Sequence, residues 1–341
     1  MTASTHALTL HTAAERGFEG VACVDDAARA ALLLCRVWRR HGLPWARHEA
    51  RAYLHFLLYM QADDGRFANF ILDWDGHKNL TGPTSVLGGV QWQARALHAL
   101  GAAVAAFGSE PDGEMYRDSF LRGLAWLDTP LEYFDVRAAG VLALLEYRDA
   151  EPHGLDQGVA LRAVAWAEEI ASYSIDGVLP NAPGNAHDVH LWGHCQEAAL
   201  ARVGAAFDRP DLVDVARASA DTLLVSAVER AFAAPRTLPY DVSAVCGGLA
   251  AIAEVTGQER YATLTRKARA WFHGRNTANR PVYDRRQGRV YDGIDDGVIS
   301  HNSGAESNVE AAQALFDELP WATYAAALPL DYHGGATATS E

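Results

Sequence analysis

The sequence predicts an all-α protein, a single-domain (α/α)6 toroid built from six helical hairpins. Three observations point there. Apolar residues recur at spacings of three and four nearly throughout the chain. Helical segments alternate between stretches rich in small residues (AARAALLL, ARALHALGAAVAA, RAAGVLALL, EAALARVGAA, CGGLAAIAE, VEAAQAL) and stretches with more Arg, Glu and bulky aromatics. The turns inside each pair are short, whereas connections into the first members are long, at 63–87, 174–192 and 274–302. Small residues let helix axes approach closely, as an inner ring requires. Larger amphipathic helices suit an outer ring with one wet face.

The elements follow in order. Residues 25–41 place Ala28, Leu32 and Cys35 on one stripe, and Pro44 then opens a second helix to about Gln61, at the first-turn position proline prefers. The next pairs are 88–107 with 112–127, 135–149 with 156–172, 193–207 with 210–232, and 241–256 with 258–273. A helix over 304–318 and a shorter one near 321–328 complete the sixth pair. The expected division is an N-terminal segment 1–24, a barrel 25–330 and a disordered tail 331–341.

Composition narrows the function. With 341 residues and an apolar fraction of 49%, the chain can bury a large core. Its 29 Lys and Arg against 43 Asp and Glu give a net charge of -14, which disfavours nucleic acid or an anionic membrane as partner and leaves a neutral or cationic ligand. No apolar run reaches the ~18–20 residues of a membrane span. The N-terminus lacks a basic and apolar leader, so a cytoplasmic location is expected. Cys23, Cys35, Cys195 and Cys246 are scattered singly, as reduced thiols would be, and no zinc site is expected. GxGxxG, GxxxxGK[ST] and GxSxG are absent, so dinucleotide, P-loop and serine-hydrolase chemistry are disfavoured and no cofactor is expected. The DxDD and DDxxD patterns of helical terpene enzymes are also missing, CVDDAARA and DGIDDG being partial echoes.

If the first members line the toroid, their N-termini open on the long-loop rim with helix dipoles presenting positive ends. Polar residues collect there. Asp25 and Asp26 begin the first inner helix with Arg29 a turn later; dipole stabilisation alone accounts for one such acid, less readily for two. Ser303 and Glu306 fit an S-x-x-E capping box, yet the preceding YDGIDDGVISHN carries Tyr291, Asp292, His301 and Asn302 with no capping duty. DVHLWGHCQE supplies Asp188, His190, Trp192, His194 and Glu197; it lacks the glutamate of a zinc protease, so a sugar-binding cluster fits better than a metal. In QADDGRFANFILDWDGHKN, Trp74 can stack on a pyranose while Asp64, Arg66 and Asn69 bond hydroxyls, and the spacing does not match an EF-hand.

At these residues the sequence resembles a bacterial family of six-hairpin-glycosidase-like (α/α)6 domains, often encoded with or fused to glycosyltransferases. The likeness runs through VACVDDAARA, where relatives read close to YCVDDNARA and Ala27 replaces Asn, and through DDGRFANF. It is most specific in WFHGRNTANRPVYDRRQGRVYDGIDDGVISHNSGAES, at Gly274, Arg275, Asn276, Pro281, Tyr283, Asp284, Tyr291, Asp292, Gly293, Asn302, Gly304, Ala305, Glu306 and Ser307. The resemblance implies the toroid and a carbohydrate context, with a glycosyltransferase as partner.

The expectation is a carbohydrate-active enzyme, first an inverting glycoside hydrolase on a neutral oligosaccharide or glycoconjugate. Such a reaction needs one protonated carboxyl and one carboxylate. Glu306 is the expected acid, its pKa raised by burial against rim aromatics, and Asp26 or Asp25 the base, with Glu197 and Asp64 in reserve. His194, Arg29, Arg66 and Asn302 would bind hydroxyls, and Trp74, Trp92 and Trp192 would stack on rings. The alternatives are an epimerase or isomerase working through His190, His194 or His301, a lyase with Arg29, Arg66 and Arg95 clamping a uronate, a non-catalytic glycan-binding module, and a terpene-cyclising toroid.

Overall fold

Small side chains set the geometry from the inside. The computed structural model describes residues 19–128, 132–150, 157–184 and 189–324. Six helices form an inner ring: α1 (Val24–His41), α3 (Val90–Phe107), α5 (Phe134–Ala150), α7 (Gln196–Ala206), α10 (Pro239–Thr256) and α12 (Ala305–Ala314). Each packs on the next, and α12 packs back on α1, so the ring closes. The outer ring is α2 (Pro44–Met60), α4 (Gly113–Leu124), α6 (Gln157–Ser172), α8 (Pro210–Ser219), which runs through a π turn (Ala220–Leu224) into α9 (Val225–Glu229), then α11 (Glu259–Arg269) and α13 (Trp321–Tyr324). The main core lies between the rings, and a smaller cluster of Leu33, Val37, Ala46 and Trp321 sits where α13 meets α1. The fold is an all-α (α/α)6 toroid.

Close approach is visible at Gly101, where a Cβ would lie 2.6 Å from the Ala143 carbonyl oxygen of α5. The predicted ends mostly hold, with instructive departures. Helix α1 is capped at its N-terminus by Cys23, whose Sγ accepts from the Asp26 amide at 3.5 Å, so Asp25 and Asp26 are first-turn residues rather than caps. Helix α12 starts after Gly304 with no side-chain cap; Ser303 Oγ instead accepts from Asn308 Nδ2 at 3.0 Å, and the capping box does not form. Helix α7 begins only at Gln196, because Gly193 (φ 72°) turns the chain ahead of it.

The long-loop rim carries three small antiparallel sheets that helical periodicity gave no sign of. These are β1 (Ala22–Cys23) with β2 (Phe70–Ile71), β4 (Tyr283–Asp284) with β5 (Arg289–Val290), and β3 (Arg236–Thr237) with β6 (Gly293–Asp295) and β7 (Val298–Ser300). Asp296 and Gly297, both at positive φ, make the two-residue turn that joins β6 to β7. The sheets stiffen the rim and hold the N-termini of α1, α10 and α12 in place. Residues 1–18, the tail 331–341 and Asp188 lie outside the described residues. Among the described residues, no helix is long and apolar enough to cross a membrane.

Candidate active site at the amino-terminal mouth

A cavity of about 1,090 Å³ runs along the toroid axis. Ala28, Arg29, Leu32, Leu33, Arg36, Arg39 and Arg40 of α1 all line it, one face of a helix followed for roughly 18 Å. At the amino-terminal mouth the chemistry centres on the buried Arg29. Its Nη1 donates to Asp26 Oδ1 at 3.0 Å, and its Nη2 donates to Tyr240 Oη at 3.0 Å and to Asp25 Oδ2 at 3.3 Å. The same Nη2 lies 2.8 Å from Glu306 Oε1, and Nε lies 3.3 Å from Glu310 Oε1. Arg95, from the first turns of α3, donates to both Asp25 and Tyr240. Pro239 at the start of α10 and the Asp241 carboxylate, which accepts from the Leu238 amide at 2.8 Å, fix where Tyr240 points.

The carboxyls gathered here differ in character. Burial pushes the Asp25 pKa up, but Arg95 and Arg29 outweigh it and hold the group below the usual aspartate range. Glu310 is buried and its pKa is raised by that burial, with Arg29 and a Ser243 hydrogen bond opposing only in part. Asp135, at the start of α5, is likewise raised by burial, and its Oδ1 has no hydrogen-bond partner among the described residues. Glu306 departs from the expected burial: its side chain is 44% exposed, because α12 carries it onto Arg29 at the rim rather than under aromatic rings. Asp26 is 36% exposed.

Glu197 is near this mouth but out of reach of a ligand. It is 0% exposed, with its carboxylate 2.9 Å from His194 Nε2 and accepting from Ser219 Oγ at 2.6 Å. Burial raises its pKa, and His194 and Ser219 reverse that and keep it low. His194 has its other ring nitrogen 3.3 Å from Asn181 Nδ2, so both nitrogens are engaged. His190 is different. Its ring stacks on Trp192 with centroids 3.9 Å apart, Nδ1 lies 3.0 Å from the Trp192 carbonyl oxygen, and Nε2 has no partner among the described residues. Trp192 is 41% exposed and tilts toward Tyr240, 6.4 Å away.

Other predicted site residues lie elsewhere. Asp64 and Arg66 pair at 2.6 Å over the Trp126 ring on the outer surface. Trp74, 68% exposed, stands on the loop above β2. Trp92 is buried and donates to the Phe67 carbonyl at 2.9 Å, which makes it part of the core. Asn69 accepts from the Asp25 amide at 3.1 Å and donates to Thr84 O, tying the loop to α1. Tyr291 and His301 meet edge to face at 5.1 Å and line a second cavity of about 620 Å³ that shares no lining residue with the first. Asp292 accepts from the Gly304 amide, and Asn302 accepts through its carbonyl from the Asp292 amide, so both serve the entry to α12.

Sequence reasoning passed over Tyr240, Glu310 and Ser243. Glu310 was legible: it follows Glu306 by four residues and so shares its helix face. Tyr240 reads as an ordinary apolar residue until α10 is set beside α1. Among the described residues, no three His, Cys, Asp or Glu side chains are grouped to hold a metal. Burial raises the Cys23 thiol to about 12, which leaves it inert as a nucleophile.

The toroid has counterparts of the same fold among solved structures. The chain is similar in fold to a D-mannose isomerase (TM-score 0.67, 12% identity, 87% of this chain and 86% of that one). It is also similar to a sugar epimerase from a ruminal bacterium (0.63, 11%, 87% of each) and to a family 88 glycosyl hydrolase from Bacteroides vulgatus (0.60, 11%, 91% and 97%). No family model and no curated protein matches the sequence.

Proposed function

We propose that the chain is a carbohydrate-active enzyme that cleaves a glycosidic bond with inversion at the amino-terminal mouth. One observation carries this reading: Asp26 and Glu310 sit on different edges of the Arg29 guanidinium, one half-exposed and the other buried with a raised pKa. A gap bridged by one guanidinium and two polar contacts suits a pair of carboxyls that must admit water, about 6.5–9.5 Å in inverting enzymes. Glu310, its pKa raised by burial, gives its proton to the leaving oxygen as the C–O bond breaks. Asp26 takes a proton from the water whose oxygen bonds to the anomeric carbon. Glu306, Tyr240 and Arg29 bind hydroxyls, and the Trp192 ring offers a stacking face.

The structural counterparts support a sugar as ligand, since those proteins act on sugars by isomerisation, epimerisation or hydrolysis, as their names state. Isomerisation of a free sugar is the second reading, favoured by the open Nε2 of His190 beside the raised carboxyl of Asp135. Association with a glycosyltransferase, which the sequence resemblance implies, would be tested by co-purification. The decisive experiment incubates the wild type, Glu310→Gln and Asp26→Asn with a panel of disaccharides and free hexoses, resolved by mass and by sugar identity. Fragment release that falls roughly 10²–10⁴-fold in both variants is expected. Conversion of a hexose without fragment release, abolished by His190→Gln, would replace hydrolysis with isomerisation.

A further inference from the structure

The far end of the axial cavity is built differently from the mouth just described. Where the inner helices end, the lining is cationic: Arg36, Arg39, Arg40, Arg148, Arg202 and Arg269 stand against four carboxylates, in a chain whose net charge is -14. Glu146 alone serves two of these arginines, accepting from Arg36 Nη2 at 3.0 Å and Arg39 Nη1 at 2.9 Å. Burial raises its pKa, but Arg36 outweighs this and brings it to about 2, so it is one fixed negative charge between two positive ones. His98, in contact with Arg36 at 3.5 Å, adds no balancing charge: burial and Arg36 push its pKa down to about 3.

Arg202 is the exposed consequence. It comes off α7 into the cavity, and its nearest carboxylate oxygen, on Glu254, is 3.8 Å away, too far for a hydrogen bond. Burial and the like charge of Arg36 both disfavour its protonated form. Arg40 has no partner among the described residues. Compensation of helix C-terminal dipoles would account for basic residues here, yet only Arg148 bonds a helix-end carbonyl, that of Ala206. Arg36 and Arg39 are held by Glu146 and Arg269 pairs with Asp317 at 3.1 Å, which leaves Arg40 and Arg202 as the two without a hydrogen bond among the described residues.

We infer that this carboxy-terminal mouth is a binding site for a phosphate group, taken as free phosphate or as the phosphate of a small metabolite. Convergent guanidinium groups bind the tetrahedral dianion through paired N–H donors, and they are worth more where the walls exclude water. The site needs nothing from the opposite mouth and stands whichever reaction that mouth performs.

Titration calorimetry on the full chain tests it, with inorganic phosphate and glucose 6-phosphate as separate probes and sodium chloride at matched ionic strength as control. Saturable phosphate binding is expected, weakened about tenfold or more in Arg202→Gln, the loss that follows removal of one charge-assisted contact. The distant surface variant Arg162→Gln should bind as the wild type does, and unchanged thermal unfolding of Arg202→Gln would show the fold intact. Equal affinity for both probes would mark free phosphate as the ligand, and tighter binding of the sugar phosphate would mark a metabolite; either supports the site. Absence of saturable binding, equal heats with chloride, or equal weakening in Arg162→Gln would overturn it.

Discussion

Arg29 shows how one buried cation organises a site. It touches Asp25, Asp26, Tyr240, Glu306 and Glu310, drawn from three helices far apart in sequence. Because Ser243 favours the charged form of Glu310, Ser243→Ala should raise the Glu310 pKa further. The alkaline limb of kcat/KM against pH would then move to higher pH, with the acid limb unmoved. A limb that moves down, or stays, would remove Glu310 from the proton-donor role. Glu197 behaves as structure rather than chemistry: Glu197→Ala strands His194 and Ser219 in the core and should cost about 3 kcal/mol or more in urea unfolding. Glu146 carries a pH signature of its own. Its folded pKa, about 2, is below the ordinary 4.5. Its contribution is therefore complete above about pH 4.5 and lost as pH falls toward 2, on the order of 3 kcal/mol. In Glu146→Gln that part of the acid-unfolding slope should vanish.

Among elements, the inner helices are spaced by what they lack. Gly101 lets α3 close on α5, and Gly101→Ala should destabilise by about 1–3 kcal/mol, measured by denaturant unfolding, as α3 shifts off the Ala143 carbonyl. The alternation of small and bulky segments made the two rings legible, because ring membership is a property of helix surfaces and those are written in local periodicity. The rim was not legible in the same way. Glu306 followed by an apolar run after Ser303 reads as a capping box, but Asn308 occupies Ser303 and Arg29 occupies Glu306. Capping competes with tertiary partners, and the buried guanidinium wins. The β6–β7 hairpin was signalled by its Asp296-Gly297 turn, which helical periodicity does not register.

On the scale of the whole molecule, the far end of the cavity is lined by six arginines against four carboxylates, whereas the end at the helix N-termini is lined by Arg29, Arg95 and Glu310, with Asp25, Asp26 and Glu306 bonded to those arginines beside it. Since Arg29 and Arg95 are already engaged by carboxylates, a neutral sugar should bind the amino-terminal mouth roughly tenfold or more tightly than its uronate. Isothermal titration with glucose and glucuronate checks this, and tighter uronate binding would turn the reading toward a lyase.

The order of helices, the two rings and the rim where Asp25, Asp26, Arg29 and Glu306 gather follow from the sequence itself, since periodicity, side-chain size and loop length are local quantities. Which carboxyl is buried, that Tyr240 and Glu310 join Arg29, that Glu197 is sealed behind His194, and that arginines line the far opening were decided only by tertiary structure. Burial and charge proximity depend on closing the ring, which brings α12 against α1 across nearly the whole length of the chain.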